Sequence, residues 1–90
     1  MNAPLVSVRE RIHARLTERL QPSHLEVIDE SAQHAGHAGA SESGQGSHMR
    51  VRIAAAQLTP LTRVQRHRLV YDALQDFIDQ GLHALAIEVI

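Results

Sequence analysis

Ninety residues make one small domain, which buries only roughly 60% of the surface its unfolded chain exposes. Nine arginines, no lysine, ten acidic residues and seven histidines give a formal net charge of −1, which excludes a globally basic nucleic-acid binder but leaves room for a local basic patch. The absence of cysteine excludes disulfides, thiolate catalysis and a self-sufficient cysteine-held iron–sulfur site, so a metal here takes nitrogen or oxygen ligands or draws sulfur from a partner.

The start, "MNAPLVSVRE", lacks the basic-then-apolar pattern of a secretory signal, and residues 1–6 read as a flexible N-terminus. Ser7 and Glu10 fit a capping box, and Val8, Ile12, Leu16 and Leu20 recur every four residues as the apolar stripe of a first helix. Pro22 ends it, because the residue before a proline avoids helical angles. A first strand is expected over "HLEVIDES" (24–31), with Leu25 and Val27 on one face and Glu26, Ile28 and Glu30 on the other.

The segment 32–47 is built from glycine, alanine and serine and reads as a long hairpin loop, a type that is usually functional or disordered. Yet "HAGHAGASESGQGSH" carries His34, His37 and His48. A second strand follows in "HMRVRIAAA", where Met49, Val51 and Ile53 face one way and His48, Arg50 and Arg52 the other. Thr59 and Pro60 suit a helix start, as cap and first helical residue. The stripe of the long helix is Val70, Leu74, Phe77 and Ile78, with a separate turn near residues 60–64 and Gly81 as the stop. In "HALAIEVI" Leu85, Ile87 and Val89 alternate with Ala84, Ala86 and Glu88, a third strand. The order α-β-β-(α)-α-β predicts an α+β sandwich, one three-stranded sheet with helices packed on it. No run approaches the ~20 apolar residues of a membrane span, so a cytoplasmic domain is expected.

His67 lies three residues before Val70 and seven before Leu74, which turns it toward the core side of its helix. Its pattern fits a boundary histidine bonded to backbone, or a ligand held on a rigid element. His34 and His37 could share a metal only through a turn, which Gly36 and Gly39 allow, and two histidines alone make a weak site. His48 reads as a surface residue or a fixer of the loop, and His13, His24 and His83 as solitary surface positions. Arg63, Arg66 and Arg68 form a small basic cluster that Arg50 and Arg52 could join, with few aromatics to stack bases and no GxxG clamp. No nucleophile with a partnering base is visible, and Asp72, Asp76 and Asp79 fall along an exposed helical face.

"HLEVIDESAQH" (24–34), "SHMRVRI" (47–53), "RHRLVYDAL" (66–74) and "HALAIEV" (83–89) together resemble the BolA-like family, in order and spacing, from about Ser7 to Val89. The resemblance implies an α-β-β-α-α-β fold similar to the KH class II type, with a three-stranded mixed sheet and helices on one face. It implies no enzyme activity. The expected partner is a monothiol glutaredoxin with a CGFS motif, sharing a bridging [2Fe–2S] cluster. The partner's cysteine and a glutathione thiol serve one iron, and a helix histidine and a loop ligand serve the other. Carried over to this sequence, the helix ligand is His67, and the loop ligand is His34, which follows "DES", with His37 as the alternative. Histidine ligation raises the potential of such a cluster and makes its retention sensitive to protonation. The implied role is iron–sulfur trafficking or iron and redox regulation by a chain that is a monomer or weak homodimer when alone.

The family's "FxG" element is replaced here by Leu58, Thr59 and Pro60, which unsettles what the resemblance says of the helix-turn-helix-like segment. The second reading is a DNA-binding transcriptional regulator using Arg63, Arg66 and Arg68, weak and salt-sensitive given the net charge. A third is a histidine-only zinc module of His34, His37, His48 and His67.

Overall fold

The computed structural model describes residues 7–31 and 48–90. The expected flexible N-terminus and the segment 32–47, with His34 and His37, lie outside them. The described elements are α1 (Val8–Leu20), β1 (His24–Asp29), β2 (His48–Ala54), α2 (Arg63–Ala73), α3 (Gln75–Asp79) and β3 (Ala84–Val89). This is the predicted α-β-β-α-α-β order.

α1 begins where Ser7 Oγ accepts the Glu10 N–H at 3.1 Å, while the Ser7 hydroxyl donates to the Glu10 carboxylate. Ile12, Leu16 and Leu20 are buried and Val8 packs against the same cluster. At the far end Gln21, barred from the right-handed helix by Pro22, adopts φ 46° and ψ 55° and donates its N–H to Thr17 O.

β2 is the central strand, antiparallel to β1 and parallel to β3. The register aligns Leu25–Ile53–Val89 and Val27–Val51–Ile87 across the sheet. Met49, Val51 and Ile53 are buried in one core with the stripe of α1 and with Val70, Leu74 and Phe77 from the α2–α3 region. The other face carries the row Glu26–Arg52–Glu88, with Arg50 beside Ile28 and Ala86.

The long helix differs from the expectation at both ends of its first segment. Its cap is Thr62, not Thr59: Thr62 accepts from Gln65 N–H and the Gln65 side chain accepts from Thr62 N–H, a complete capping box. Thr59 has no Glu or Gln three residues on, and residues 55–61 form turns around buried Ala55 and Leu58 instead. The break in the helix falls at Leu74 rather than near residue 64. Arg15 accounts for it by donating at 2.9 Å to the Ala73 carbonyl, the group a continuous helix would offer to Phe77. Phe77 N–H bonds Leu74 O at 3.0 Å instead. Arg15 also grips Asp76 through two bonds of 2.6 and 2.9 Å, and its guanidinium lies 5.0 Å from the Phe77 ring centre.

Gly81 stops α3 as predicted, at φ +127°. Gly81 N–H bonds Ile78 O and Leu82 N–H bonds Phe77 O, and the two buried side chains at Leu82 and Phe77 close the motif.

Candidate functional site

His67 sits in the second turn of α2, behind the Thr62 capping box. It is half-buried in a cleft of about 350 Å³ lined by Arg63, Arg66, Ile87, Glu88 and Val89. Its ring makes no hydrogen bond to any described residue, so the reading of a backbone-bonded boundary histidine does not hold among them.

The arginine cluster divides by task. Arg66 donates from Nε to Leu58 O and from Nη2 to Thr59 O, both at 2.8 Å, and thereby fastens the 55–61 turn to α2. Arg63 and Arg68 are exposed. Arg50 and Arg52 do not extend the patch. Arg50 lies 3.0 Å from Glu30 and 3.5 Å from Glu88, and Arg52 lies 3.4 Å from both Glu26 and Glu88. The Glu30 bond holds the Arg50 pKa above its ordinary value.

His24 is not solitary, since its Nε2 meets the Glu26 carboxylate at 2.8 Å and this bond, with Arg52 nearby, pulls the Glu26 pKa down. Two of the three helical aspartates do structural work. Arg15 holds Asp76 down at about 2, and Asp79 accepts from the Gln75 side chain.

A convergence that the linear sequence hides involves His83. Because β2 and β3 run parallel, with His48 opposite Ala84, the residues that open them lie at one end of the sheet. The His48 and His83 rings meet there, centroids 5.8 Å apart and planes tilted by 53°. His83 is exposed and its ring makes no hydrogen bond to a described residue. The signal available beforehand was positional, a histidine at the mouth of each of two strands that an intervening helix makes parallel.

This end is also where the segment bearing His34 and His37 departs. Ser31, fully buried, accepts the His48 N–H at 3.0 Å, which fixes the end of β1 beside the start of β2. From Ser31 to His34 the chain spans at most ~10 Å, and to His37 ~20 Å. At ~3.3 Å per residue, Ile87–Val89, against which His67 lies, are ~10–17 Å along β3 from Ala84. A three-residue step from Ser31 is thus about as long as the shortest of those distances and shorter than the rest. Among the described residues, no three His, Cys, Asp or Glu side chains gather closely enough to hold a metal ion. A site at His83 thus needs ligands from elsewhere.

Sequence comparison decides the family. A profile described as BolA-like protein matches residues 16–90. The chain belongs to the BolA-like family. An uncharacterized protein in the cobS 5′ region of a Sinorhizobium species is 46% identical over 92% of this chain and 89% of its own length. The DNA-binding transcriptional regulator BolA of Escherichia coli is 36% identical over 89% of this chain and 71% of its own. The solved BolA domain of SufE1 from Arabidopsis thaliana superposes with a TM-score of 0.82 and 42% identity, covering 96% of this chain and 93% of that one. This chain spans 22% and 49% of two plant relatives, so the BolA-like unit also occurs within longer proteins. Among the described residues, no helix is long and apolar enough to cross a membrane.

Proposed function

We propose that this BolA-like chain is a non-catalytic partner of a monothiol glutaredoxin with a CGFS motif. Together the two hold a [2Fe–2S] cluster for iron–sulfur trafficking or iron and redox regulation. The partner's cysteine and glutathione bring the thiolates that this chain lacks. This chain brings two imidazoles, and iron of such clusters accepts histidine in place of cysteine. When bound, the cluster supplies one-electron chemistry or is itself the cargo.

The observation that carries this reading is the position of His83, with both ring nitrogens uncommitted among the described residues, at the end of the sheet from which His34 and His37 depart. His83 takes the place that the sequence reading gave to His67, and His34 is its loop companion, with His37 as the alternative. The stretch of β3 that lines the His67 cleft lies ~10–17 Å from Ala84, against ~10 Å for the three-residue step from Ser31 to His34, which favours His83.

The test is reconstitution with a CGFS glutaredoxin, glutathione, iron and sulfide, followed by visible circular dichroism. The cluster spectrum is expected to vanish in His83→Ala, to weaken in His34→Ala, and to persist in His67→Ala. Loss in His67→Ala with retention in His83→Ala restores the first assignment. Retention in every variant removes histidine ligation from this chain altogether.

A second reading is favoured by exposed Arg63 and Arg68 and by the likeness to the DNA-binding transcriptional regulator BolA of Escherichia coli: a DNA-binding regulator acting through the start of α2. Arg66 counts against it, because its donors already hold two carbonyls.

A further inference from the structure

β3 closes one side of the sheet, and its outer edge pairs with no strand among the described residues. Ile90 donates its N–H to Ile53 O at 2.9 Å, so the even-numbered residues here turn their peptide groups toward β2. Backbone groups alternate in direction along a strand, which turns those of Leu85, Ile87 and Val89 outward. Tyr71 confirms the parity, because its hydroxyl reaches the Leu85 carbonyl at 3.0 Å, a group that the ladder to β2 would otherwise have used. The other outward groups, the N–H of all three residues and the carbonyls of Ile87 and Val89, have no partner among the described residues.

Such an edge is a template for another strand unless charge or proline deters it. β1, the edge on the other side, is deterred, since Glu26 and Asp29 lie in it and Glu30 follows it. From Ala84 to Ile90 the only charge is Glu88, and there is no proline. A second copy of the same strand fits this edge in one register. Outward residues must meet outward residues, so an antiparallel pair about a two-fold axis is centred on a residue and not between two. A centre at Glu88 opposes the two Glu88 carboxylates, and a centre at Leu85 opposes the two carbonyls that Tyr71 already occupies. Centres at Ala86 or Val89 shorten the overlap. A centre at Ile87 pairs the whole stretch 84–90 and sets Glu88 against Ala86 and exposed Ile90 against exposed Ala84. Leu85 then meets Val89, and its carbonyl has a second lone pair for the incoming N–H.

We infer that β3 pairs antiparallel with β3 of a second copy, centred on Ile87, and joins two three-stranded sheets into one of six. A strand edge is a small interface, below the ~1,200 Å² at which stable complexes begin, so the dimer is transient and half-forms at ~0.1–1 mM. Family resemblance does not choose between monomer and weak homodimer, and names no surface for the latter. The pairing goes beyond the proposed function, rests on neither cluster nor glutaredoxin, and is tested without them.

Sedimentation equilibrium of the full chain from ~10 μM to ~2 mM brackets that range, and amide hydrogen exchange followed by NMR reads the edge itself. Wild type is expected to pass from monomer to dimer. The Leu85, Ile87 and Val89 amides are expected to exchange more slowly as concentration rises, and those of Leu25 and Val27 at the β1 edge to stay unchanged. Ala86→Glu places a carboxylate opposite Glu88 of the second copy at two symmetric positions, and is expected to weaken the dimer roughly five- to thirtyfold. Within its own sheet position 86 lies opposite Arg50, so the monomer keeps its fold, which far-UV circular dichroism checks. Adding Glu88→Ala to Ala86→Glu removes the opposed carboxylates and is expected to bring the dimer back to within about threefold of wild type. Ala14→Glu, the same change of charge on the exposed side of α1, is expected to leave it intact. A wild type still monomeric at the highest concentration overturns the inference, as does a dimer untouched by Ala86→Glu or weakened equally by Ala14→Glu. A defect that Glu88→Ala fails to rescue denies the register and overturns it too.

Discussion

Replacing Arg66 with alanine removes two hydrogen bonds of 2.8 Å from a charged donor to the carbonyls of Leu58 and Thr59. A hydrogen bond from a charged group contributes about 1.5–3 kcal/mol when desolvated and much less when water can replace it. The bonds differ in that respect: Leu58 is 1% exposed, whereas the Thr59 bond lies at the surface. Assigning ~1.5 kcal/mol to the first and ~0.5 kcal/mol to the second gives a loss of ~2 kcal/mol. Unfolding entropy of ~2.1 cal/mol/K per residue, ~190 cal/mol/K for this chain, turns that into a fall in Tm of ~10 °C. Thermal and urea melts followed by far-UV circular dichroism measure it directly. Arg66→Lys should recover less than half, because one ammonium cannot serve two carbonyls as a fork does. A loss below ~0.5 kcal/mol would refute the assignment of Arg66 to the 55–61 turn and return its guanidinium to the surface patch.

Asp76 has a folded-state pKa of about 2 against an ordinary 3.8, so its contact with Arg15 stabilises the fold at all pH values above that range and is lost as pH falls from 3.8 through 2. Wild type should therefore exceed Asp76→Asn in stability at neutral pH, with the gap closing between those two values; a gap unchanged at pH 2 contradicts the ion pair. Gly81→Ala meets no atom within 4 Å of its new Cβ, so its cost is the left-handed backbone alone, about 1–2 kcal/mol, or ~5–10 °C in Tm. An unchanged melting temperature would show that the turn after α3 relaxes freely.

What could be read in advance was whatever repeats locally. The period-four stripe Val8–Ile12–Leu16–Leu20 and the alternation of Met49, Val51 and Ile53 each specify a buried face without knowledge of what covers it. The helix start was misplaced because Thr59–Pro60 and Thr62–Gln65 are both good local caps, and the choice falls to burial of Leu58 and to Arg66. The break at Leu74 was out of reach, since its cause, Arg15, lies 58 residues from the carbonyl it takes. The same holds for the histidines. His67 stood out on its motif, whereas His83 gains its neighbour only when β2 and β3 pair in parallel.

The charge layout weighs the two functional readings against each other. Of the five arginines the sequence grouped as a patch, Arg50 and Arg52 answer Glu26, Glu30 and Glu88 on the outer face of the sheet, and Arg66 is bound to backbone. Arg63 and Arg68 remain, both exposed at the start of α2. Two phosphate contacts release about two counterions, so log affinity for duplex DNA should fall with log salt at a slope near −2. Such binding is too weak to select a site at physiological salt without a second subunit or further contacts. Fluorescence anisotropy with a labelled duplex across a salt series reads the slope, and Arg63→Ala/Arg68→Ala should flatten it while leaving the melting temperature unchanged. A slope of −5 or steeper, or one that survives the double substitution, would mean that other cations of this chain meet the backbone, and would put DNA ahead of the cluster as its ligand.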